Sequence, residues 1–179
     1  MQISNPFRKK IFFKDHKYIP YGRQNITDED IKSVVKVMKS DFLTQGKVIE
    51  KFEHEITTKV KVKNAIAVNS ATSALHIACL SLGLGEEDYI WTSPITFVAS
   101  ANCGRYCGAK VDFVDIDEDT ALISVKKLEK KLELAKKDNK LPKIIIPVHL
   151  AGSSCEMRKI WELSKIYGFS IIEDASHAI

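Results

Sequence analysis

Small polar residues stand where a β-branched run gives way to a helix, at residues 65–73 (AIAVNSATS). The first N–H groups of a helix lack intrahelical partners, and the helix dipole is positive at that end. Small side chains let an anion approach these amides, so Ser70, Ala71 and Thr72 form a candidate phosphate site. The alternative is an ordinary Ser-capped helix without a ligand, which is common in α/β proteins.

Other residues whose side chains could bind a ligand or take part in a reaction follow the later apolar runs of the chain. They are Phe97, Asp115, Asp117, His149, Asp174 and His177. Right-handed crossovers bring the carboxyl ends of parallel strands to one edge of a sheet, where ligands bind. The sequence therefore predicts a small-molecule cofactor site at that edge, although the fold alone does not identify the cofactor.

Apolar runs alternate with amphipathic segments, which predicts an α/β fold with a mostly parallel sheet and helices on both faces. The predicted strands are 65–68, 89–92, 111–114, 143–148 and 169–172, and the predicted helices lie near 28–38, 48–63, 72–82, 97–107, 125–135 and 157–167. Residues 1–18 form a basic N-terminal arm, either an edge strand or a segment that clasps a partner. Residues 19–179 are expected to be the front portion of a longer domain, since the last strand has no covering helix after it.

The composition narrows the class of protein. With 45% apolar and 28% charged residues and a net charge of +4, the 179-residue chain is typical of a soluble globular protein. No apolar run is long enough for a membrane span, and the scattered lysines do not form a nucleic-acid footprint. The four cysteines fit a reducing compartment, and the N-terminal sequence does not have the pattern of a secretory signal. We therefore expect a cytoplasmic protein. We expect no metal site, because Asp115 and Asp117 are typical turn formers.

Eight segments occur in an order that is typical of one enzyme family. They are IPYGRQNI, SDFLTQG, VIEKFE, AVNSATSALH, SPITFVASAN, YCGAKVDFVDID, IIPVHLAG and IIEDASHAI. On these segments the chain resembles the DegT/DnrJ/EryC1/StrS sugar aminotransferases, which use pyridoxal 5'-phosphate (PLP) and have the aspartate-aminotransferase fold (fold type I). One departure from the family pattern is Gly104-Arg105 within a predicted helix, where glycine costs about 1 kcal/mol relative to alanine.

The resemblance implies roles for the residues of the predicted edge. Ser70, Ala71 and Thr72 match positions that bind the cofactor phosphate, and Phe97 matches the aromatic residue that stacks on the pyridine ring. Asp174 matches the carboxylate that binds the pyridine nitrogen, and His177 matches a position that contacts the ring near the phenolic oxygen of PLP. From the residues alone, Phe97 also fits a core residue at a helix start, Asp174 an N-cap at the strand-to-helix turn and His177 an ordinary helix-start residue.

The resemblance also points to three residues that could bind the substrate. Thr44 and Gly46 lie in a segment that borders the substrate pocket in members of the family, although Gly46 also fits a simple turn between helices. His149, in PVHLAG, fits either a substrate contact or a hydrogen bond that holds its loop.

The resemblance implies transfer of an amino group from glutamate to a nucleotide-linked 4-keto-6-deoxy sugar by a homodimer. Within the family, the motifs are most similar to members that act in pseudaminic-acid synthesis. The lysine that forms the Schiff base with PLP follows the EDASHA motif in the family and would lie beyond residue 179. The chain alone is therefore expected to be inactive. The alternatives are a PLP-dependent nucleotide-sugar dehydratase, in which histidine replaces that lysine, and a non-catalytic remnant.

Overall fold

A computed structural model describes residues 24–179, so the predicted arm at 1–18 lies outside the described residues. The helices are α1 (Asp28–Met38), α2 (Lys47–Val60), α3 (Ala71–Ser81), α4 (Ala99–Tyr106), α5 (Val125–Lys137) and α6 (Met157–Tyr167). The strands are β1 (Tyr89–Thr92), β2 (Lys110–Phe113), β3 (Ile144–Ile146) and β4 (Ser170–Ile171). Between residues 24 and 179, no helix combines the length and apolarity needed to cross a bilayer.

The described residues divide into two compact units, with the boundary between Ile49 and Glu50. In the first unit, α1 begins with a reciprocal cap: the Asp30 amide donates to the Thr27 hydroxyl, and the Thr27 amide donates to the Asp30 carboxylate. This confirms the predicted start of the helix. Its apolar stripe, made of Ile31, Val34, Val35 and Met38, is exposed.

The second unit contains a four-stranded sheet in the order β2-β1-β3-β4, and every pair of neighbouring strands is parallel. The register aligns Ile90 with Ile144 and Trp91 with Ile145. The predicted parallel α/β fold is confirmed. All four strands therefore end at one edge of the sheet, which we call the carboxyl edge; the opposite edge is the amino edge.

Alternate residues of the central strands fill two separate apolar cores, one on each face of the sheet. One core joins Ile90, Ile144 and Ile146 to Leu75 and Cys79 of α3 and Cys103 of α4. The other joins Trp91 and Ile145 to Leu128 and Leu132 of α5 and Ile160 of α6. Burial on both faces explains why these strands are continuously apolar rather than alternating.

The predicted strand at 65–68 is wrong, because no described strand pairs with these residues. Ile66 is 80% exposed, and the amide of Ala67 donates to the Glu53 carboxylate at 2.8 Å. A β-branched sequence favours extended backbone, but a strand also needs a neighbour to complete its hydrogen bonds.

The contacts of Lys143, which lies at the amino edge just before β3, show the direction of α3. Its Nζ donates to the Gly83 carbonyl at 2.5 Å and to the Asp88 carboxylate at 2.8 Å. Since Gly83 follows the end of α3, this end lies at the amino edge. Eleven helical residues span about 16 Å, so α3 runs back along the sheet and its first turn lies at the carboxyl edge.

Gly104 has a packing role in the predicted helix that it interrupts. It is buried in α4 facing β1, and a Cβ atom at this position would collide with the Ile90 side chain. The absent side chain therefore lets α4 approach the sheet closely.

We predict that Gly104→Ala lowers the free energy of unfolding by about 1 kcal/mol. Overpacking a buried contact costs about 1–3 kcal/mol, and the helix propensity of alanine offsets roughly 1 kcal/mol of this cost. Urea denaturation measures the difference. Gly85→Ala is the matched control, because nothing lies within 4 Å of a Cβ there, and it should change stability by less than about 0.5 kcal/mol. A Gly104→Ala protein as stable as wild type would contradict the packing role.

The ion pair at the amino edge predicts a pH dependence of stability. The hydrogen bond from Lys143 holds the pKa of Asp88 below its usual value, and the Gly85 amide adds to this effect. A lowered pKa in the folded state stabilises the protein above the unfolded pKa of about 4 and ceases to do so as the pH falls through the folded value. Wild type should therefore exceed Asp88→Asn in unfolding free energy by about 1 kcal/mol at pH 7. The difference should shrink below pH of about 4, whereas Glu129→Gln, an exposed control on α5, should show none.

Candidate cofactor site

The backbone of Asp174 is held at the carboxyl edge by hydrogen bonds of both its amide and its carbonyl. The Asp174 amide donates to the Pro147 carbonyl at 3.0 Å, and the Asp174 carbonyl accepts from the His149 amide at 3.0 Å. These bonds extend the β3–β4 pairing beyond the strands, through a parallel bridge between Val148 and Asp174. The position of Asp174 is therefore set by the sheet rather than by a free loop.

Two serine residues hold the carboxylate group itself. Asp174 Oδ2 accepts from the Ser100 hydroxyl at 2.7 Å, and Oδ1 accepts from the Ser176 hydroxyl at 2.6 Å and the Ser176 amide at 3.2 Å. Through Oδ1, Asp174 thus caps the turn that follows it, which is the alternative role considered from the sequence. Because Ser100 belongs to α4, the Asp174 side chain lies on the face of the sheet that α3 and α4 cover.

Asp174 is only 7% exposed, yet within residues 24–179 no lysine, arginine or histidine pairs with it. Burying a carboxylate without a cation is costly. Each carboxylate oxygen can accept about two hydrogen bonds, so Oδ2 has acceptor capacity left after binding Ser100. A cationic N–H donor would satisfy both the charge and this capacity, as the protonated nitrogen of a pyridine ring does.

The first turn of α3 offers donors at the same edge. The Ser70 side chain caps the helix by accepting from the Ser73 amide at 3.2 Å. The amides of Ala71 and Thr72 come earlier in the turn, where helix geometry provides no internal partner. Both residues and the cap are at least partly exposed. The turn can therefore bind an anion through backbone amides, and it lies on the same sheet face as Asp174.

Phe97 lies just before α4 and is 73% exposed, so the core-packing alternative is wrong. Its neighbour Thr96 has a hydroxyl 2.8 Å from the Ser100 hydroxyl. A hydroxyl has one hydrogen, and Ser100 donates it to Asp174 at 2.7 Å rather than to the more distant Phe97 carbonyl at 3.2 Å, so Ser100 can accept from Thr96. An exposed aromatic ring that follows a strand at this edge offers a flat apolar face on which a ring-shaped ligand can stack.

His149 is 5% exposed, and both of its ring nitrogens have protein partners. Nδ1 accepts from the Cys155 amide at 3.1 Å, and Nε2 lies 2.9 Å from the Glu173 carboxylate. This arrangement supports the hydrogen-bonding role rather than a substrate contact. His177 is exposed, and its Nδ1 accepts from the Ala151 amide at 3.2 Å.

Thr44 and Gly46 belong to the first compact unit, in the exposed turn between α1 and α2. A Cβ atom at Gly46 would lie 3.3 Å from the Phe42 Cβ, which supports the turn role of this glycine. Their proposed part in substrate binding stays a prediction.

The two acidic residues after β2 have structural roles. Asp115 pairs with Lys127 at 2.6 Å, and Asp117 accepts from the Asp119 and Thr120 amides of its turn. In the part of the chain that the structure describes, no group of three metal-binding side chains is present.

Sequence reasoning assigned no role to four residues near Asp174. Ser100 and Ser176 bind its carboxylate, and Glu173 and Cys155 bind the ring of His149. Ser100 lies 74 positions from Asp174 in the chain, and small polar residues in a helix carry no local signal of a distant partner. Ser176 was detectable, because an Asp accepting from the residue two positions on is a familiar turn pattern.

Comparison with known proteins gives a consistent result. The family model described as "DegT/DnrJ/EryC1/StrS aminotransferase family" matches residues 24–179. UDP-4-amino-4,6-dideoxy-N-acetyl-beta-L-altrosamine transaminase from Campylobacter jejuni is 42% identical over 161 residues, which are 90% of this chain and 42% of that protein. The chain thus spans about two fifths of the length of the curated relatives that it matches.

Solved structures agree with the sequence relatives. Helicobacter pylori PseC, an aminotransferase involved in the biosynthesis of pseudoaminic acid, is 35% identical with a TM-score of 0.78, over 90% of this chain and 42% of that one. The PLP form of the sugar aminotransferase Spr1654 from Streptococcus pneumoniae is 26% identical with a TM-score of 0.77, over 89% of this chain and 43% of that one.

We predict that Ser100→Ala lowers the free energy of unfolding by about 1–3 kcal/mol, because it removes a donor to a buried carboxylate oxygen. Urea denaturation without any ligand checks this. The matched control is Ser81→Ala at the exposed end of α3, whose hydroxyl donates only to the Ala78 carbonyl; it should change stability by less than about 0.5 kcal/mol. Equal effects of the two substitutions would contradict the role assigned to Ser100.

Proposed function

The chain belongs to the DegT/DnrJ/EryC1/StrS aminotransferase family, and from this premise we propose that its carboxyl edge binds PLP for amino-group transfer to a nucleotide-linked sugar. Proteins of this family that resemble the chain include nucleotide-sugar transaminases. Their fold is that of fold-type-I PLP enzymes, which the parallel sheet of this chain shares.

The observation that carries the proposal is the buried Asp174 carboxylate without a cationic partner among the described residues. Its remaining acceptor capacity at Oδ2 suits the N–H of a protonated pyridine. In this role Asp174 keeps the proton on the ring nitrogen, since a nearby negative charge favours the protonated form. When bound, PLP supplies an electron sink that depends on this proton.

The other groups at the edge suit the remaining parts of the cofactor. The free amides of Ala71 and Thr72 suit its phosphate, which the positive end of the α3 dipole attracts. The Ser70 hydroxyl donates to Ser73 Oγ at 3.2 Å and would bind the phosphate by turning its hydrogen away from that partner. The exposed ring of Phe97 offers an apolar face to the pyridine ring. His177 keeps Nε2 available, because the Ala151 amide occupies only Nδ1, and so it can donate to an oxygen on the ring.

We propose glutamate as the amino donor and a nucleotide-linked 4-keto-6-deoxy sugar, of the pseudaminic-acid type, as the acceptor. The Campylobacter transaminase and the Helicobacter pylori aminotransferase support this sugar class at 42% and 35% identity. We also propose a cytoplasmic homodimer with substrate contacts from Thr44 and Gly46. The dehydratase alternative requires the same cofactor residues, so an experiment on cofactor binding tests the part common to both reactions.

None of the lysines of the chain matches the position of the family's Schiff-base lysine. Two of them have other partners: Lys143 binds Asp88 at the amino edge, and Lys127 binds Asp115. We therefore propose that these 179 residues bind PLP without a covalent bond. Borohydride treatment in the presence of PLP should attach it to no particular lysine, as peptide mass spectrometry would show. Reduction at one specific lysine would contradict this.

We predict that Asp174→Asn weakens the binding of PLP by roughly thirtyfold or more, because breaking a buried charge pair costs about 2–5 kcal/mol. Equilibrium dialysis of the chain with PLP measures the dissociation constant. Phe97→Ala should weaken binding by roughly two- to tenfold through lost stacking. The control is Asp119→Asn in the exposed turn after β2, which should leave the constant unchanged. If Asp174→Asn and Asp119→Asn bind PLP equally well, Asp174 does not hold the cofactor.

A further inference from the structure

The loop that follows β3, residues 149–155, contacts the segment 173–177 at several points and is called here the clamp loop. The main chain contributes the His149 amide, which donates to the Asp174 carbonyl at 3.0 Å. The side chains contribute the 2.9 Å contact between His149 Nε2 and Glu173. The third tie is the Ala151 amide, which donates to His177 Nδ1 at 3.2 Å. Asp174 thus lies between residues that the clamp loop holds on both sides.

The chemistry of the His149 ring follows from its partners. A backbone N–H can only donate, so Nδ1 must present a lone pair to the Cys155 amide. The ring proton is therefore on Nε2, from which it is donated to the Glu173 carboxylate. Both ring nitrogens are thus occupied by protein partners and the side chain is buried, so neither nitrogen is free for a substrate.

The loop also adopts a conformation that needs support. Ala151 has φ of 54°, in the left-handed region that favours glycine, and Gly152 follows with φ of 84°. A Cβ atom at Gly152 would lie 3.1 Å from the His177 carbonyl oxygen, so the loop approaches the 173–177 backbone closely. Such a backbone persists only where its surroundings hold it, and His149 anchors its first residue.

We propose that His149 is a positioning residue: its Nε2–H bond to Glu173 locks the clamp loop onto residues 173–177 and thereby orients Asp174 and His177. The bond joins the two chain segments one residue away from the main-chain bridge at Asp174. The orientation of both residues in the unliganded chain is independent of the proposed function, and its consequence for PLP binding rests on that function.

The first test uses the chain without any cofactor. Nitrogen-15 NMR of the imidazole groups should show His149 in the neutral form with its proton on Nε2. A proton on Nδ1, or a ring that exchanges between the two forms, would overturn the proposal.

Substitutions separate the two ring nitrogens. The amide of glutamine at 149 occupies the place of Nε2 and can still donate to Glu173, whereas asparagine occupies the place of Nδ1 and can bind only the Cys155 amide. His149→Asn and Glu173→Ala should shift the backbone amide resonances of Asp174, Ser176 and His177, and His149→Gln should shift them less. His54→Asn on the exposed surface of α2 is the control. Glu173→Ala keeps the test valid if a change at the buried histidine prevents folding, because Glu173 is about half exposed.

A binding measurement then distinguishes positioning from substrate contact. Loss of one hydrogen bond corresponds to a change of roughly two- to tenfold, so His149→Asn should weaken PLP binding by that factor while His149→Gln stays within twofold. Unchanged PLP binding and unchanged amide resonances in His149→Asn and Glu173→Ala would overturn the proposal. If instead Asp174→Asn leaves PLP binding unchanged, the proposed function fails, and the NMR result on the unliganded chain still decides the positioning role.

Discussion

The site depends on a negative charge that the fold buries before any ligand is bound. Asp174 is held by the main chain of the β3–β4 pairing and by two hydroxyl groups, but hydroxyl groups are neutral and leave its charge uncompensated. Hydrogen bonds reduce the cost of such burial without removing it. The apolar packing of α3 and α4 against the sheet must supply the stability that this arrangement costs. A ligand that brings a positive N–H relieves part of this cost, which makes burial a source of selectivity for a protonated ring.

The parallel sheet converts this local feature into a site. Because β1, β3 and β4 run in one direction, Phe97, His149 and Asp174 follow strand ends at one edge. α3 precedes β1 in the chain, and the short connection between them brings the end of α3 to the start of β1, where Lys143 contacts Gly83 and Asp88. The first turn of α3 therefore lies at the carboxyl edge, about 16 Å away.

Much of this arrangement could be predicted from the sequence, and the exceptions share a cause. Apolar runs and turn glycines located β1, α5 and α6 within a few residues, since these elements are defined by their own periodicity. The segment 65–68 has the same local pattern as a strand, but pairing is a property of two segments and no described strand pairs with it. Ser100 was missed for the same reason, because its partner is remote in sequence. Local patterns predict elements, whereas the contacts between elements that complete the site must be observed.

His149 shows why a motif does not by itself give a role. The sequence places it at a strand end, where ligands bind, and both a substrate contact and a loop-holding bond fit that position. Burial and the occupation of both ring nitrogens favour the second role. The residues that touch a ligand at this edge need unused donors or acceptors, as Asp174 Oδ2 and the Ala71 and Thr72 amides have. Residues whose groups are all occupied by the protein instead hold the others in place, and the geometry of the clamp loop assigns His149 to this second class.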